Sequence, residues 1–299
     1  MPISLQAQAK INLGLQITGK RADGYHELDS LFYPLEEPFD TLTIILRDEP
    51  GLSVECLGAE IDPEKNSLTL CYQALARLGC QLPGLFVRLD KGIPLGAGLG
   101  GGSSDAACLL RFLNSRLASP LSDAQLHKLA LALGADVPFF LTSRPARVRG
   151  VGEKLSPCRC LFLPCWLLLV TPGLHINTAW AYQEYDRRRN LGESAPPALT
   201  KTAFANKISL LLDEGDKGPR EQAWSLDNAL ELPVMASYPQ MAALKSRLAR
   251  LGASAVGMSG SGSSLSALFP PDEEALARQA LHELEDEGLR AYLQFLSRP

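Results

Sequence analysis

The segment Pro94 to Ser104 reads PLGAGLGGGSS, with glycine at positions 96, 98, 100, 101 and 102. So little side chain suits a backbone that must close on a ligand, because glycine reaches φ > 0 without steric cost and lets several N–H groups converge on one anion. Leu85 to Asp90 alternates as a half-buried strand does. Ala106 to Leu113 reads as a helix, with Ser103, Ser104 and Asp105 supplying N-cap chemistry at its start. Strand, glycine loop and helix N-terminus form a setting in which phosphate is bound. Phosphoryl transfer from a nucleoside triphosphate then needs positive charge and a group that positions the accepting hydroxyl. Lys10 and Asp136 have that chemistry. Lys10 lies in the alternating stretch Ile3 to Thr18, where it and Asn12 project from a face expected to be wet. Asp136 follows a helix stop at Gly134 and precedes Pro138.

Two other phosphate motifs fit less well. Gly96, Gly98 and Gly101 satisfy G-x-G-x-x-G, and Asp123 lies about 20 residues further on, as in a nicotinamide-dinucleotide site. In that motif a buried parallel strand turns at once into the glycines and the acid ends a second strand. Here the strand alternates, Pro94 intervenes, and Asp123 belongs to the capping box Ser122-Asp-Ala-Gln125. A Walker loop is excluded because no Gly-Lys-Ser/Thr follows the glycines.

The elements that must carry these residues are spread over 299 residues, a two-domain length. The pattern changes around Cys158 to Pro164, which places the expected domains at 1–155 and 156–299. Periodicity predicts strands at Ile3–Thr18, Thr41–Leu46, Leu85–Asp90 and Leu265–Phe269, and helices at Asn66–Leu78, Gln240–Leu251 and Glu273–Glu287. Leu161 to Val170 is the longest apolar run; interrupted by Pro164 and too short to cross a bilayer, it is expected to be a buried strand. Glu184 to Gln222, rich in charge, Pro, Gly and Ser, is expected to be irregular, with Arg187 to Arg189 as a solvated face. Hydrophobic residues at 46%, charged residues at 21% and a net charge of −4 describe a globular chain with no cation excess for a nucleic acid. The first residues lack the pattern of a secretory signal, and the seven cysteines include no C-x-x-C pair. Reduced thiols in a cytoplasmic protein, with no protein-borne metal site, are the expectation.

Four segments in order, Ala9 to Leu13 (AKINL), Pro94 to Ala107 (PLGAGLGGGSSDAA), Gly134 to Phe140 (GADVPFF) and Met258 to Ser264 (MSGSGSS), resemble the motifs of GHMP kinases. The match extends over nearly the whole chain. AKINL combined with Arg21 to His26 (RADGYH) is similar to the branch acting on a cytidyl-diphosphate-linked methylerythritol, with homoserine and mevalonate kinases as alternatives. The resemblance implies a two-domain α+β fold. It comprises an N-terminal ATP-binding domain with a mixed or antiparallel sheet and helices, and a ferredoxin-like C-terminal domain, with the active site in the cleft. It implies transfer of the ATP γ-phosphate, with Mg²⁺, to the tertiary 2-hydroxyl of that substrate, a step of the non-mevalonate route to isoprenoid precursors.

By the same resemblance, Asp136 is the base that accepts or orients the hydroxyl proton, while Lys10 keeps Asp136 ionised and offsets charge on the phosphoryl group. Pro94, Leu95, Gly96, Ala97, Gly98, Leu99, Gly100, Gly101, Gly102, Ser103 and Ser104 wrap the phosphates, with Asn66 near the adenine. Asn12, Tyr25, His26, Leu28 and Phe32 contact the substrate, Thr178 and Tyr182 close over it, and Gly257 to Ser264 supports the phosphate loop. The implied partner is a small molecule, with no nucleic acid and no membrane, for a monomer or weak homodimer. One position departs from the family: Asn228-Ala229-Leu230-Glu231 stands where Asn-Asp-Leu-Glu is common.

Overall fold

The computed structural model describes residues 1–161, 164–193, 208–213, 219–224 and 226–296. Along the chain run β1 (Ile3–Lys20), β2 (His26–Arg47), β3 (Leu52–Leu57), α1 (Ser67–Arg77), β4 (Gly84–Asp90), α2 (Gly101–Asn114), α3 (Asp123–Leu133), α4 (Val137–Phe140), β5 (Ala146–Gly150) and β6 (Lys154–Leu161). They are followed by β7 (Cys165–Thr171), α5 (Thr178–Asn190), β8 (Ile208–Asp213), β9 (Pro219–Trp224), α6 (Glu231–Ser237), α7 (Pro239–Arg250), β10 (Ala255–Met258), β11 (Leu265–Phe269), α8 (Glu274–Asp286) and β12 (Arg290–Leu296). Two compact units result. The first holds Met1–Lys10, Pro34–Leu95 and Gly100–Arg144; the second holds Ile11–Tyr33, Gly96–Leu99 and Pro145–Pro299.

In the first unit, β4 pairs antiparallel with Thr41–Arg47 of β2 and parallel with β3. Parallel neighbours need a crossover, and α1 supplies it. Its alternation turns Leu85, Val87 and Leu89 inward, where they are buried with Leu42 and Ile44. Leu68, Cys71 and Leu75 recur every three or four residues on the buried stripe of α1. Each such aliphatic side chain contributes about 1.5–3 kcal/mol by leaving water. The helix starts follow their local chemistry. Asn66 caps α1 by accepting from Thr69 N, and Ser122 with Gln125 forms the reciprocal capping box of α3. The start of α2 differs from the sequence expectation. Its N-cap is Gly100 in the left-handed region, so Ser103 and Ser104 lie inside the first turn instead of capping it.

The second unit contains the antiparallel ladder of β2 (Leu28–Phe32) with β5, continuing through β6, β8 and β9. A separate four-stranded sheet runs β10-β11-β7-β12, antiparallel throughout. With α7 before β10 and α8 between β11 and β12, its order is that of the ferredoxin-like fold expected from the sequence. The apolar run near residue 165 forms β7, one of the two inner strands, whose residues are all buried except the partly covered Trp166. Leu168, Val170, Met241, Leu248, Phe269 and Leu284 build the core beneath it. The irregular segment expected over Glu184 to Gln222 is corrected where it is described: α5 continues to Asn190, and β8 and β9 pair in register. The rest of it, residues 194–207 and 214–218, lies outside the described residues. Arg187 and Arg188 pair with Glu184, so part of the basic run is neutralised within its own helix. Among the described residues no helix is long and apolar enough to cross a membrane.

Candidate active site

In the first unit, Lys10 is the last residue before β1 passes on, and it is not on a wet face. It is 4% exposed, as is Asn12, because β1 is buried on both faces from Ala9 to Leu15. Alternation in this strand separates two buried environments instead of core from water. Lys10 Nζ lies 3.6 Å from Asp136 Oδ2, whose side chain is 32% exposed. Burial lowers the Lys10 pKa below the ordinary lysine range, against the raising pull of the Asp136 charge. Asp136 stands at the N-cap position of α4 yet makes no side-chain capping bond, which leaves its carboxylate for other work.

The start of α2 adjoins this pair. A methyl group on Gly100 would fall 2.9 Å from the Phe140 ring and 3.3 Å from Lys10 Cε, so only a glycine lets the helix begin there. Lys10, Asp136 and an N-terminal helix dipole are thus assembled in one unit. Asn66 spends its amide on local bonds to Asp62 O, Pro63 O and Thr69. A methyl on Gly102 would come within 3.8 Å of Ser67 Oγ, so the start of α1 borders the glycine segment.

Beside Gly101, at the start of α2, lies a charged cluster that sequence reading missed. Lys91 bonds both Asp40 and Asp105, at 3.0 Å to Asp105 Oδ2, and all three side chains are at most 4% exposed. Asp40 Oδ1 also accepts from the backbone N–H groups of Gly92 and Ile93, each at 2.8 Å. The residues entering the glycine segment and the first turn of α2 are therefore tied together by one cation. Burial, then the Asp40 charge, pushes the Asp105 carboxyl up to about 7 despite Lys91. Burial opposes the Lys91 ammonium, but the two carboxylates outweigh it and raise its pKa.

In the second unit, Gly96 to Leu99 rests on the serine-rich turn after β10. Ser259 Oγ donates to Gly98 O at 3.1 Å, Ser264 N donates to Ala97 O at 3.2 Å, and Asn12 N donates to Ser259 Oγ at 3.0 Å. The expected support of the loop by Gly257 to Ser264 is thus visible bond by bond. Asn228 holds that turn in shape by donating to Met258 O and Gly260 O, and Glu231 accepts from Met258 N. The departure at Ala229 leaves both of these neighbours in place. Gly98 has φ +76°, and a methyl there would lie 2.4 Å from Ser259 O and 2.9 Å from Gly262 O. Gly98→Ala is therefore expected to displace the segment and raise the KM for a nucleoside triphosphate at least about tenfold, since left-handed strain of about 1–2 kcal/mol adds to two backbone clashes. Steady-state kinetics against nucleotide concentration checks this; an unchanged KM would place the phosphates elsewhere.

A cavity of about 610 Å³ in the same unit is lined by Tyr25, His26, Leu28, Thr178 and Tyr182, together with Lys20, Val151, Gln183 and Asp186. His26 stacks on Tyr182 with centroids 5.0 Å apart and meets Tyr185 edge-on at 6.1 Å. Five of the seven residues expected to contact substrate meet here. Phe32, 4% exposed, is a core residue and is not among the lining side chains, and Asn12 turns its amide to Ser30 Oγ. Thr178 is bonded to Ser261 at 2.9 Å, so the cavity wall and the serine turn are continuous. Sequence reading missed Lys20 and Asp186, since a lone lysine at a strand end and an acid in a charged helix carry no signal.

Profiles of known families match in two places: the GHMP kinases N terminal domain over residues 66–144, and the GHMP kinases C terminal domain over 211–287. A 4-diphosphocytidyl-2-C-methyl-D-erythritol kinase from Nitratidesulfovibrio vulgaris is 42% identical over 98% of this chain and 99% of its own length. The chain belongs to the GHMP kinases. A kinase of the same name from Solidesulfovibrio magneticus is 39% identical over 97% of this GHMP kinase chain and 95% of its own. Among solved structures, a 4-(cytidine 5'-diphospho)-2C-methyl-D-erythritol kinase superposes with a TM-score of 0.71 at 35% identity, covering 99% of both chains. A homoserine kinase from Cytophaga hutchinsonii, at 18% identity and a TM-score of 0.62 over 99% of this chain and 95% of its own, shares the GHMP kinase fold. Burial pushes the Cys71 and Cys165 thiols up to about 12, which keeps them protonated at neutral pH.

Proposed function

We propose that this GHMP kinase transfers the γ-phosphate of ATP to the 2-hydroxyl of 4-diphosphocytidyl-2-C-methyl-D-erythritol. The observation that carries the choice within the family is the cavity in which Tyr25, His26 and Tyr182 offer flat faces beside hydrogen-bonding groups, a surface suited to a nucleobase. A homoserine or mevalonate acceptor has no ring to fill it. The glycine segment would wrap the phosphates. Asp136 orients the tertiary hydroxyl and takes its proton as the oxygen attacks phosphorus and ADP departs. Lys10 keeps Asp136 anionic and offsets charge on the phosphoryl oxygens. Because a tertiary alcohol is hindered, alignment contributes as much as proton removal.

Among the described residues no group of three or more His, Cys, Asp or Glu side chains is placed to hold a metal. Mg²⁺ that arrives on ATP needs only one or two oxygen ligands from protein. The Ser103 hydroxyl, in the first turn of α2, would supply one, and the ion would neutralise phosphate charge when bound. Incubation with Mg-ATP and the cytidyl substrate, mevalonate or homoserine, following ADP release, tests the assignment. Turnover with mevalonate or homoserine but not with the cytidyl substrate would overturn it.

The lowered Lys10 pKa has a kinetic consequence. A cation whose charged form is disfavoured loses its proton at lower pH than usual, so activity that needs Lys10 charged declines on an alkaline limb below the ordinary lysine value of 10.5. The pH profile of kcat/KM checks this, and a limb at or above that value would separate Lys10 from the rate.

A further inference from the structure

Asp186 of α5 reaches into the cavity wall and bonds two partners, with Oδ1 2.8 Å from His26 Nε2 and Oδ2 2.5 Å from Lys20 Nζ. His26 is 9% exposed at its side chain, is stacked on Tyr182, and makes no hydrogen bond through Nδ1 among the described residues. We propose that Asp186, braced by Lys20, is a positioning residue that sets the base selectivity of the cavity by fixing the tautomer of His26. An ionised carboxylate only accepts hydrogen bonds, so the His26 nitrogen facing it must carry the hydrogen. The other nitrogen of the neutral ring, Nδ1, is then an acceptor.

An acceptor at the wall of this cavity suits a pyrimidine with an exocyclic amino group and opposes one with a carbonyl oxygen at that position, which would leave two acceptors face to face. Cytosine has the amino group and uracil the carbonyl. Burial alone would raise the Asp186 pKa, but hydrogen bonds from Lys20 and His26 outweigh it and hold the carboxyl below its ordinary value, in the form the argument requires. Lys20 has a second role. It can only donate, so it determines which way a substituted amide must turn.

The inference rests on the cytidyl reading above, and Asp186→Asn tests it separately. In that variant Lys20 claims the amide oxygen, the amide NH₂ faces His26 Nε2, and the ring proton must move to Nδ1. CDP and UDP are titrated into the full-length wild type and variant at pH 8.5, above the ordinary imidazole range. The His26 tautomer is read in parallel from ¹⁵N-histidine spectra, with the signal assigned by His26→Gln. The expected result is an Nε2–H ring in the wild type, an Nδ1–H ring in Asp186→Asn, and a preference for CDP over UDP at least about tenfold smaller in the variant. Asp186→Glu should restore the wild-type tautomer. An unchanged preference or an unchanged tautomer in Asp186→Asn, with CDP still bound by the wild type, would overturn this proposal and leave the functional reading standing. A wild type that binds CDP no better than UDP would overturn the cytidyl reading together with it.

Discussion

Asp136→Asn is expected to lower kcat by at least about a hundredfold with little change in the KM for ATP. The substitution keeps the shape of the side chain and removes its ability to take a proton, and general-base contributions are typically 10²–10⁴-fold. Asp136 makes no capping bond that the fold depends on, so a loss of turnover would not stem from a broken helix start. Its carboxylate pairs with Lys10 at 3.6 Å, and an amide there withdraws that counter-charge from a buried ammonium. Thermal unfolding of the variant and of Lys10→Met separates that cost from chemistry: Lys10→Met should recover stability but not activity. Near-normal turnover by Asp136→Asn would remove this residue from the mechanism.

The second large effect concerns stability. Lys91→Met is expected to cost about 3–5 kcal/mol, because it leaves Asp40 and Asp105 buried together with no cation between them. Against a typical total of about 5–15 kcal/mol this is a severe loss, readable by urea unfolding at pH 7. Adding Asp105→Asn removes one of the opposed charges and should recover part of it. A loss under about 1 kcal/mol for Lys91→Met would mean that the cluster is not a strong constraint. The pH dependence has a definite sign. Asp105 is pushed up to about 7 from 3.8, so between those values the folded state holds more protons than the unfolded one, and its contribution falls as pH rises. The stability of the wild type relative to Asp105→Asn should therefore decline from pH 5 to 7.5 and level off above.

Much of this molecule is readable in its residues because local rules and tertiary packing agree. The capping box at Ser122, the stop at Gly134 and the alternation of Leu85 to Asp90 all appear where their chemistry requires. The glycine segment and the acid after the stop are legible for the same reason: few other tasks need those residue types in that order. Lys10 marks the limit. Alternation reports that two faces differ, but not whether the polar one meets water or other protein, and here it meets protein. Pairs such as Lys91 with Asp40, or His26 with Asp186, join residues 51 and 160 positions apart. No local periodicity records a contact that folding alone brings about. The described parts of Glu184 to Gln222 misled for the opposite reason, since a composition common in loops also occurs in a helix and in paired strands.

The left-handed glycine that opens α2 has one more implication. A serine or aspartate at that position would satisfy the first free N–H groups of the helix with its own oxygen, worth about 1 kcal/mol. Gly100 offers no such oxygen, and the helix has no side-chain cap. Gly100 thus forgoes a stabilising bond that a capping side chain supplies, and under the proposed function a phosphate anion would take that place. On that reading, part of the affinity for phosphate would be stability withheld from the unliganded chain, and a substitution that improved the helix by itself would compete with the ligand for the same donors.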